Sequence, residues 1–512
     1  QGVCPAAAGT LAPRCPLRWS VGRVAVGRAL QGAEKTEELL QDPAAMPRPS
    51  LPGEFEFVRQ QSHVSPLRLK SMAMKLRHRS HGFVVKQGAA AYQAIDNKAD
   101  PEETGSNRDF STLPGPNNLA GLKSILIHPF SVLLVCLPLG IASGLRGWGD
   151  AWTFWLNIAG IIPLAKFLGD ATEELAAAIH NDTLSGLLNA TLGNAVEMIL
   201  AFQTLRKGLL GVVKYTLLGS ILSNLLLVLG SSFFLGGLSA SSAQSGRHHI
   251  IHVKDYKPGR RLPVTTEKEQ LFSVQGALVS MGLQLLACMT CALPTVFAAA
   301  SSQEGAAAER AAEKLLHVSR LGALITMLSY CAFVVFELCT HKAMLAEEED
   351  NDAEPDSDGA SLTAWCSAVL MMLITVVIAV SSEMLVGTIE HVVQKCGIPE
   401  RFIGVVVLPL AGNACEHASA LRFAMQDRPG LVIGIAVGSS TQIALLVVPY
   451  SVIMGWYLDK PMNLDFGVLN AVVLLLSVLV ALTTVIDGRS NWLKGFMLCT
   501  AYAFIGILYY DM

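Results

Sequence analysis

Two glutamates lie in the middle of long apolar stretches, where an ionisable side chain is costly. Glu197 and Glu416 each end a five-residue motif, Gly-Asn-Ala-Val-Glu in the first case and Gly-Asn-Ala-Cys-Glu in the second. Placing a carboxylate at the centre of a bilayer costs about 2.5–3.5 kcal/mol on insertion scales. A single such glutamate could be a protonated structural group between helices, but two at matched positions favour a shared function.

The residues around the two glutamates suit a hard divalent cation. Asn194 and Asn413 precede them by three positions, so each amide shares a helix face with its carboxylate. Two such faces together offer several oxygen ligands, which suit Ca²⁺ and also Mn²⁺. Protons compete for the same carboxylate oxygens, so the pair could release a cation on gaining protons. Gly193 and Gly412, which open the motifs, leave room for a close backbone approach or a helix break.

Other polar residues accompany the motifs. His417 follows Glu416 directly and could titrate near neutral pH, or be a fixed hydrogen-bond donor to Glu416 or to a neighbouring helix. Three acids near the ends of apolar stretches are predicted to form entrance sites for the cation: Glu174, Glu383 and Glu390. Three uncharged polar residues inside apolar stretches either ligate the ion or tie helices together: Ser220, Ser439 and Gln442.

The motifs belong to an internal duplication. The Gly-Asn-Ala motifs begin at residues 193 and 412, and two Gly-Ser motifs begin at 219 and 438, so both pairs are 219 residues apart. We interpret this as a repeat in which spans 2–6 match spans 7–11. Each unit has an odd number of spans, so the two units must be inverted, as in secondary transporters with an ion site at the midplane. Three charged residues lack a repeat partner and are interpreted as structural or interfacial: Lys166, Lys214 and Glu337.

Composition places these motifs in a membrane protein. The chain has 512 residues, 52% of them hydrophobic and 15% charged, whereas soluble domains carry about 25% charged residues. A bilayer-spanning helix needs about 20 apolar residues, and the long continuous runs exclude a β-barrel. The predicted fold is all-α, with a first helix followed by two inverted five-helix repeats. The eleven predicted spans are 123–145, 151–178, 184–205, 209–237, 271–299, 316–341, 361–387, 401–425, 431–456, 465–486 and 491–510.

The loops and termini predict the orientation. The basic N-terminal tail and the basic loop 238–270 are separated by four spans, which places both in the cytosol and the C-terminus on the other side. The domain boundaries follow: a polar, disordered tail at 1–119, spans at 120–341, an acidic cytosolic loop at 342–360 and spans at 361–512. The loop has eight acids within residues 347–358, but its spacing does not fit an EF-hand. Residues 1–33 resemble either a transit peptide or the translation of a normally untranslated region of the transcript. Residues 66–86 form a basic segment.

Several other functions are disfavoured. The net charge of −3 does not suggest a nucleic-acid partner. Most of the 11 cysteines are scattered singly, and the closest pair, Cys288 and Cys291, has no second pair nearby for a zinc site. No His-Glu-x-x-His motif is present, so an intramembrane zinc protease is excluded. We therefore expect no enzymatic activity and no resident cofactor, with Ca²⁺ or Mn²⁺ and H⁺ as the transported species.

These motifs resemble the cation/proton exchanger (CAX) family of the Ca²⁺/cation antiporter superfamily. The matching stretches are LLNATLGNAVEMILA at 187–201, LLGSILSNLLLVLG at 217–230, VLPLAGNACEHASA at 407–420 and VGSSTQIALLVVP at 437–449, with ATEELA at 171–176 and SSEMLVGTIE at 381–390. The resemblance implies a vacuolar or similar acidic-organelle Ca²⁺/H⁺ antiporter with eleven spans. It also implies that Glu197 and Glu416 bind the cation, supported by Asn194 and Asn413.

Two alternatives remain open from the sequence. A Na⁺/Ca²⁺ exchanger of the same superfamily shares the inverted-repeat plan, although Glu416 followed by His417 fits the proton-coupled branch better. A passive cation channel would share acids in its pore but show no counter-transport.

Overall fold

The computed structural model describes residues 117–179, 182–239, 269–301, 306–341 and 361–512. Within these ranges nine helices are long and apolar enough to cross a membrane, and two bent helix pairs raise the number to eleven if each pair is one span. The all-α polytopic membrane fold is therefore confirmed. The predictions for the basic tail, the loop at 240–268 and the acidic loop at 342–360 concern residues outside the described ranges.

The spans are numbered here from 1 to 11. The first six comprise a 3₁₀ turn Pro129–Val135 with helix Cys136–Arg146; Asp150–Ile179; the bent pair Asp182–Leu192 and Ala195–Lys207; Leu210–Leu222, continued by a π-helical turn and Leu229–Ser239; Val274–Ala300; and Ala306–Val335, continued by a π-helical turn to Thr340.

The last five spans begin after the acidic loop. They comprise Ala364–Cys396; the bent pair formed by Glu400–Gly412, with a π-helical turn at Ile403–Val407, and Ala414–Met425; Pro429–Gln442, continued by a π-helical turn and Val448–Tyr457; Val468–Val485; and Trp492–Asp511.

Three boundaries differ from the sequence prediction. Residues Asn118–Leu126 form a separate helix, and span 1 begins only at Pro129, because proline lacks an N–H and starts a new turn. Span 6 begins ten residues before the predicted residue 316. Span 7 continues past residue 387 to Cys396, where Gly397 ends it in the left-handed conformation with φ 67°. A two-residue strand pair, Gln270–Leu271 with Arg489–Ser490, was also not predicted.

Contacts between span ends sort into two groups, which we call the N-terminal end and the far end. At the N-terminal end, Thr363 before span 7 donates to Asn118 before span 1 at 2.8 Å, and Gln270 before span 5 donates to Ala424 O in span 8 at 2.8 Å. At the far end, Lys395 of span 7 pairs with Asp150 of span 2 at 3.0 Å. This grouping is the one that eleven successive crossings require.

Two hydrophobic clusters form the core of the described chain. One lies mainly between spans 2, 3, 7 and 8, and the other joins spans 4, 5, 6, 9, 10 and 11 with parts of spans 3 and 8. Spans 2 and 7 pack closely along their length and are joined by a buried hydrogen bond of 2.7 Å from Ser381 to Asn157. The bent spans 3 and 8 lie beside spans 4 and 9 where the two clusters meet, and these four spans carry the predicted site.

Candidate functional site

Each of the two motifs lies at a break in its helix. The halves of span 3 meet at an angle of 42° next to Asn194, and those of span 8 meet at 59° next to Asn413. Both asparagines precede the second half-helix without capping it, so their side chains are free to reach neighbouring spans. Glu197 and Glu416 lie in the first turn of these half-helices, where the positive end of the helix dipole favours an ionised carboxylate.

The two asparagines cross between the repeats. Asn194 of span 3 donates through Nδ2 to Oε1 of Gln442 in span 9 at 2.7 Å. Asn413 of span 8 donates through Nδ2 to the main-chain oxygen of Ser220 in span 4 at 3.2 Å. Both amides are 1% exposed. Each motif is therefore held by the other half of the chain.

The carboxylates lie beside these crossings. Ser439 of span 9 donates to Oε1 of Glu416 at 3.2 Å. A Cβ added at Gly412 would lie 3.0 Å from Oε1 of Glu197, so the absent side chain lets span 8 approach the glutamate of span 3. Asn224 of span 4 lies close to Glu416, although neither of its amide atoms forms a hydrogen bond with a described residue.

Three oxygens of the two motifs lack partners among the residues that the structure describes: Asn194 Oδ1, Asn413 Oδ1 and Glu416 Oε2. A buried acceptor without a partner is costly. The Nδ2 groups of both asparagines already donate to other residues, so these oxygens are available for a ligand that carries positive charge. Two carboxylates and two amide oxygens make a hard oxygen set suited to Ca²⁺ or Mn²⁺ as substrate. Among the described residues, no group of three or more His, Cys, Asp or Glu side chains is placed to hold a metal ion.

The two glutamates differ in accessibility. Glu197 is 5% exposed, whereas Glu416 and the residues around it, 414–419, are partly exposed, although the Oε2 atom of Glu416 is itself buried. A cavity of about 450 Å³ adjoins span 8 on its N-terminal-end side. We call it the access cavity, and its polar lining includes Lys166, Asp170, Glu173, Glu174, Ser419 and Arg422. Ser419 is one turn from Glu416, so this cavity reaches the edge of the site.

The far end of the site is closed. Beyond Glu197, spans 3, 4 and 8 enclose a void of about 10 Å³, which has room for roughly one water molecule. Thr204, Thr216 and Ser220 contribute hydroxyls to its lining. Spans 4 and 8 are in backbone contact here, because a Cβ at Gly219 would lie 2.3 Å from Val405 O. A large cavity therefore approaches the site from one end of the molecule, whereas a void of only about 10 Å³ lies toward the other end.

The predicted accessory residues separate into different places. His417 lies 2.8 Å from Ser231 of span 4 through Nε2, so the neighbouring-helix contact is the one observed. Glu174 accepts hydrogen bonds from the N–H of Ser361 and Leu362 and fixes the start of span 7 at the rim of the access cavity. This carboxylate is thus already committed to protein donors.

The other two predicted entrance acids lie elsewhere. Glu383 pairs with Arg206 at 2.5 Å, nine residues along span 3 from Glu197 and thus about 13 Å away along the helix. Glu390 is exposed near Glu400, the first residue of span 8. The three acids that were predicted to form entrance sites therefore do not converge on one entrance. Sequence reasoning also assigned Lys166 a structural role and did not single out Arg422 or Ser231, whose partners are distant in sequence.

Comparisons with known proteins agree with this architecture. The sodium/calcium exchanger protein family model matches residues 150–339 and 366–510. Bent, repeat-related helices with paired acids and amides at their crossing define a membrane ion exchanger, and the chain belongs to this family. Its relatives place it more narrowly, in the cation/proton exchanger group, which confirms the resemblance seen in the motifs.

Two relatives illustrate the match. Vacuolar cation/proton exchanger 1a of Oryza sativa subsp. japonica is 37% identical over 402 residues, covering 77% of this chain and 82% of that protein. The Ca²⁺/H⁺ antiporter of Aphanothece halophytica is 35% identical over 391 residues, covering 74% and 96%.

Solved structures show the same fold. Native YfkE aligns with a TM-score of 0.59 at 32% identity, covering 75% of this chain and all of that one. The H⁺/Ca²⁺ exchanger CAX aligns with a TM-score of 0.53 at 14% identity, covering 77% and 93%, and supports the fold alone.

Proposed function

We propose that the protein exchanges Ca²⁺, or Mn²⁺, for H⁺ by alternating access and loads a vacuole or another acidic organelle. The supporting observation is the crossing of spans 3 and 8, where two carboxylates and two unpartnered amide oxygens meet. Relatives named as vacuolar cation/proton exchangers and Ca²⁺/H⁺ antiporters favour this coupling over Na⁺. On this proposal the N-terminal end is cytosolic.

The geometry suggests how an exchange cycle would run. A cation enters the access cavity from the N-terminal end and reaches Glu416 by way of Ser419, one helical turn away. Glu197 and the oxygens of Asn194 and Asn413 then complete its ligand set. Protons and a divalent cation compete for the carboxylates. Once spans 3 and 8 have opened toward the far end, protons supplied by an acidic lumen displace the cation. The protonated site then returns to face the N-terminal end.

The far-end seal disfavours a passive channel. In the described state, backbone contact between spans 4 and 8 blocks a continuous path past Glu197. A channel needs both ends open at once, whereas an exchanger needs one end closed while the other is open.

Reconstituted vesicles test the proposal. Purified protein is placed in sealed vesicles, and Ca²⁺ uptake is followed with an acid-inside pH gradient, with Mn²⁺ and Na⁺ as alternative ions. Glu197→Gln and Glu416→Gln should each reduce uptake on the order of 100-fold, because each removes a buried charge that the cation needs. Glu269→Gln, at an exposed ion pair with Arg489, is the matched control.

The outcomes separate the candidates. Uptake that requires the pH gradient and collapses with a protonophore supports H⁺ coupling. Uptake that follows a Na⁺ gradient instead would establish the sodium-coupled alternative, and flux that needs no opposing gradient would establish a channel. Normal transport by both glutamine variants would refute the assigned site.

A further inference from the structure

Lys166 is a cation placed inside the route proposed for cations. It lies in span 2, lines the access cavity and forms an ion pair with Asp170 one turn away. The two side chains are only 19% and 21% exposed. A lysine without functional use would be expected to extend its ammonium to the surface, but this one points its charge at an acid within the cavity.

The charges around Lys166 leave little negative charge uncompensated. Glu173 interacts electrostatically with Asp170, Lys166 and Arg422. Glu174 accepts from the N–H groups of Ser361 and Leu362. The cavity lining therefore carries three acids and two bases, together with His128. A cation that enters must compete with charges the protein already holds there.

The influence of Lys166 extends to the edge of the site. Cys415, which precedes Glu416, interacts electrostatically with Lys166, Asp170, Glu173 and Glu416. The charge of Lys166 therefore acts on the residue next to the predicted ligand Glu416. Its ammonium is a single charge on a flexible stem, equal to a monovalent ion and weaker than a divalent one in attraction to the same carboxylate.

We propose that Lys166 is a specificity-determining residue: a tethered ammonium that occupies Asp170 until a divalent cation displaces it, and so excludes monovalent cations from the access cavity. The proposal rests on the proposed function. It assigns a role to a lysine that has no counterpart in the second repeat, where Leu385 is the matched residue.

The test compares lysine variants in the vesicle assay at several K⁺ concentrations. Lys166→Met removes a unit positive charge about 10 Å from the divalent cation. By Coulomb's law in bulk water, this should decrease the Ca²⁺ KM about fourfold. K⁺ should now inhibit uptake, because nothing competes with it for Asp170. Lys166→Arg keeps the charge and should retain the wild-type KM and K⁺ insensitivity. Lys166→Gln serves if the methionine variant does not fold.

Two further variants test the direction of the KM change and provide a control. Asp170→Asn leaves the ammonium uncompensated, so the Ca²⁺ KM should rise by about fourfold on the same Coulomb estimate. Lys395→Met removes the lysine of another lysine–aspartate pair, at the far end, and should leave both KM and K⁺ sensitivity unchanged.

The proposal is overturned if Lys166→Met keeps the wild-type KM, or if its KM falls without inhibition by K⁺. It is also overturned if Lys166→Arg behaves like Lys166→Met. Equilibrium binding of radioactive Ca²⁺ to the full chain in detergent, with K⁺ as competitor, gives the same ranking without transport. Absence of pH-driven uptake by the wild type would then refute the proposed function and leave the Lys166 test intact.

Discussion

The two repeat-related halves of the site have almost the same sequence motif and different surroundings. Glu197 is buried beneath a sealed far end, whereas Ser419, one turn after Glu416, lines a cavity of about 450 Å³. Gly219 is pressed against Val405 O, whereas its counterpart Gly438 has open space around its Cα. Equal motifs in unequal surroundings are what one state of an alternating-access cycle requires. On the proposed function, the difference corresponds to one conformation of the cycle.

Substitutions at Gly219 and Gly438 should give the largest difference between the two halves of the site. In Gly219→Ala the new Cβ would lie 2.3 Å from Val405 O, and main-chain atoms cannot move aside easily. We expect a loss of about 3 kcal/mol in stability and a severe loss of transport. Gly438→Ala meets nothing within 4 Å and should be neutral or stabilising. Thermal unfolding and vesicle uptake measure both, and equal effects would show that the seal is not where we place it.

The amide crossings provide a second matched pair. Asn194 is held by the side chain of Gln442, whereas Asn413 is held by the main-chain oxygen of Ser220. Gln442→Ala should therefore cost about 1–3 kcal/mol, because it strands a buried amide. Ser220→Ala keeps the carbonyl and should cost less. The measurement is the unfolding midpoint at equal protein concentration; a larger effect for Ser220→Ala would contradict the observed partners.

Accessibility can be probed at matched positions. Leu200 of span 3 corresponds to Ser419 of span 8, and only the second lines the access cavity. A cysteine at 419 should react with a membrane-impermeant thiol reagent at least about tenfold faster than one at 200, since about 1.4 kcal/mol of opening would suffice for that ratio. Labelling is compared with the unmodified chain as background. Similar rates at the two positions would rule out one-sided access.

The smallest expected effect concerns the far end. Arg206 and Glu383 join spans 3 and 7 with side chains 49% and 42% exposed. An ion pair this exposed contributes under about 1 kcal/mol. Glu383→Gln should thus lower stability only slightly, and the loss should vanish at high salt. A large loss of uptake in this variant would instead give Glu383 a direct role in the transport cycle.

Sequence reasoning predicted the parts of the molecule that depend on length and hydrophobicity. All eleven stretches correspond to spans or bent pairs in the structure, because only long apolar helices satisfy their backbone in lipid. Gly193 and Gly412 were predicted to allow a close backbone approach or a helix break, and a helix break lies beside each of them. The separate helix Asn118–Leu126 was merged with span 1, because the two form one apolar run and only Pro129 divides them.

The unequal halves could not have been predicted from the sequence. Matched motifs do not reveal which end of a repeat is open, since that depends on packing between spans far apart in the chain. The pairing of Arg206 with Glu383 joins residues 177 positions apart, and no local pattern marks it. Lys166 was interpreted as structural because it lacks a repeat partner, and only the cavity reveals its neighbours. The inversion of the complete five-span units stays a prediction, although spans 3 and 8 do end at opposite ends of the molecule.

The hydrogen bonds of the two asparagines across the repeats can form only after the second half of the chain has been synthesised. Asn194 has its acceptor on Gln442, 248 residues later in the chain. At the usual synthesis rate of 5–20 residues per second, roughly 12 to 50 s pass before that acceptor exists. During this interval the newly inserted first half holds a glutamate and an amide in the membrane without their partners. An assembly factor that shields polar intramembrane groups would find its substrate in that window, and a nascent chain arrested before span 9 would expose it permanently.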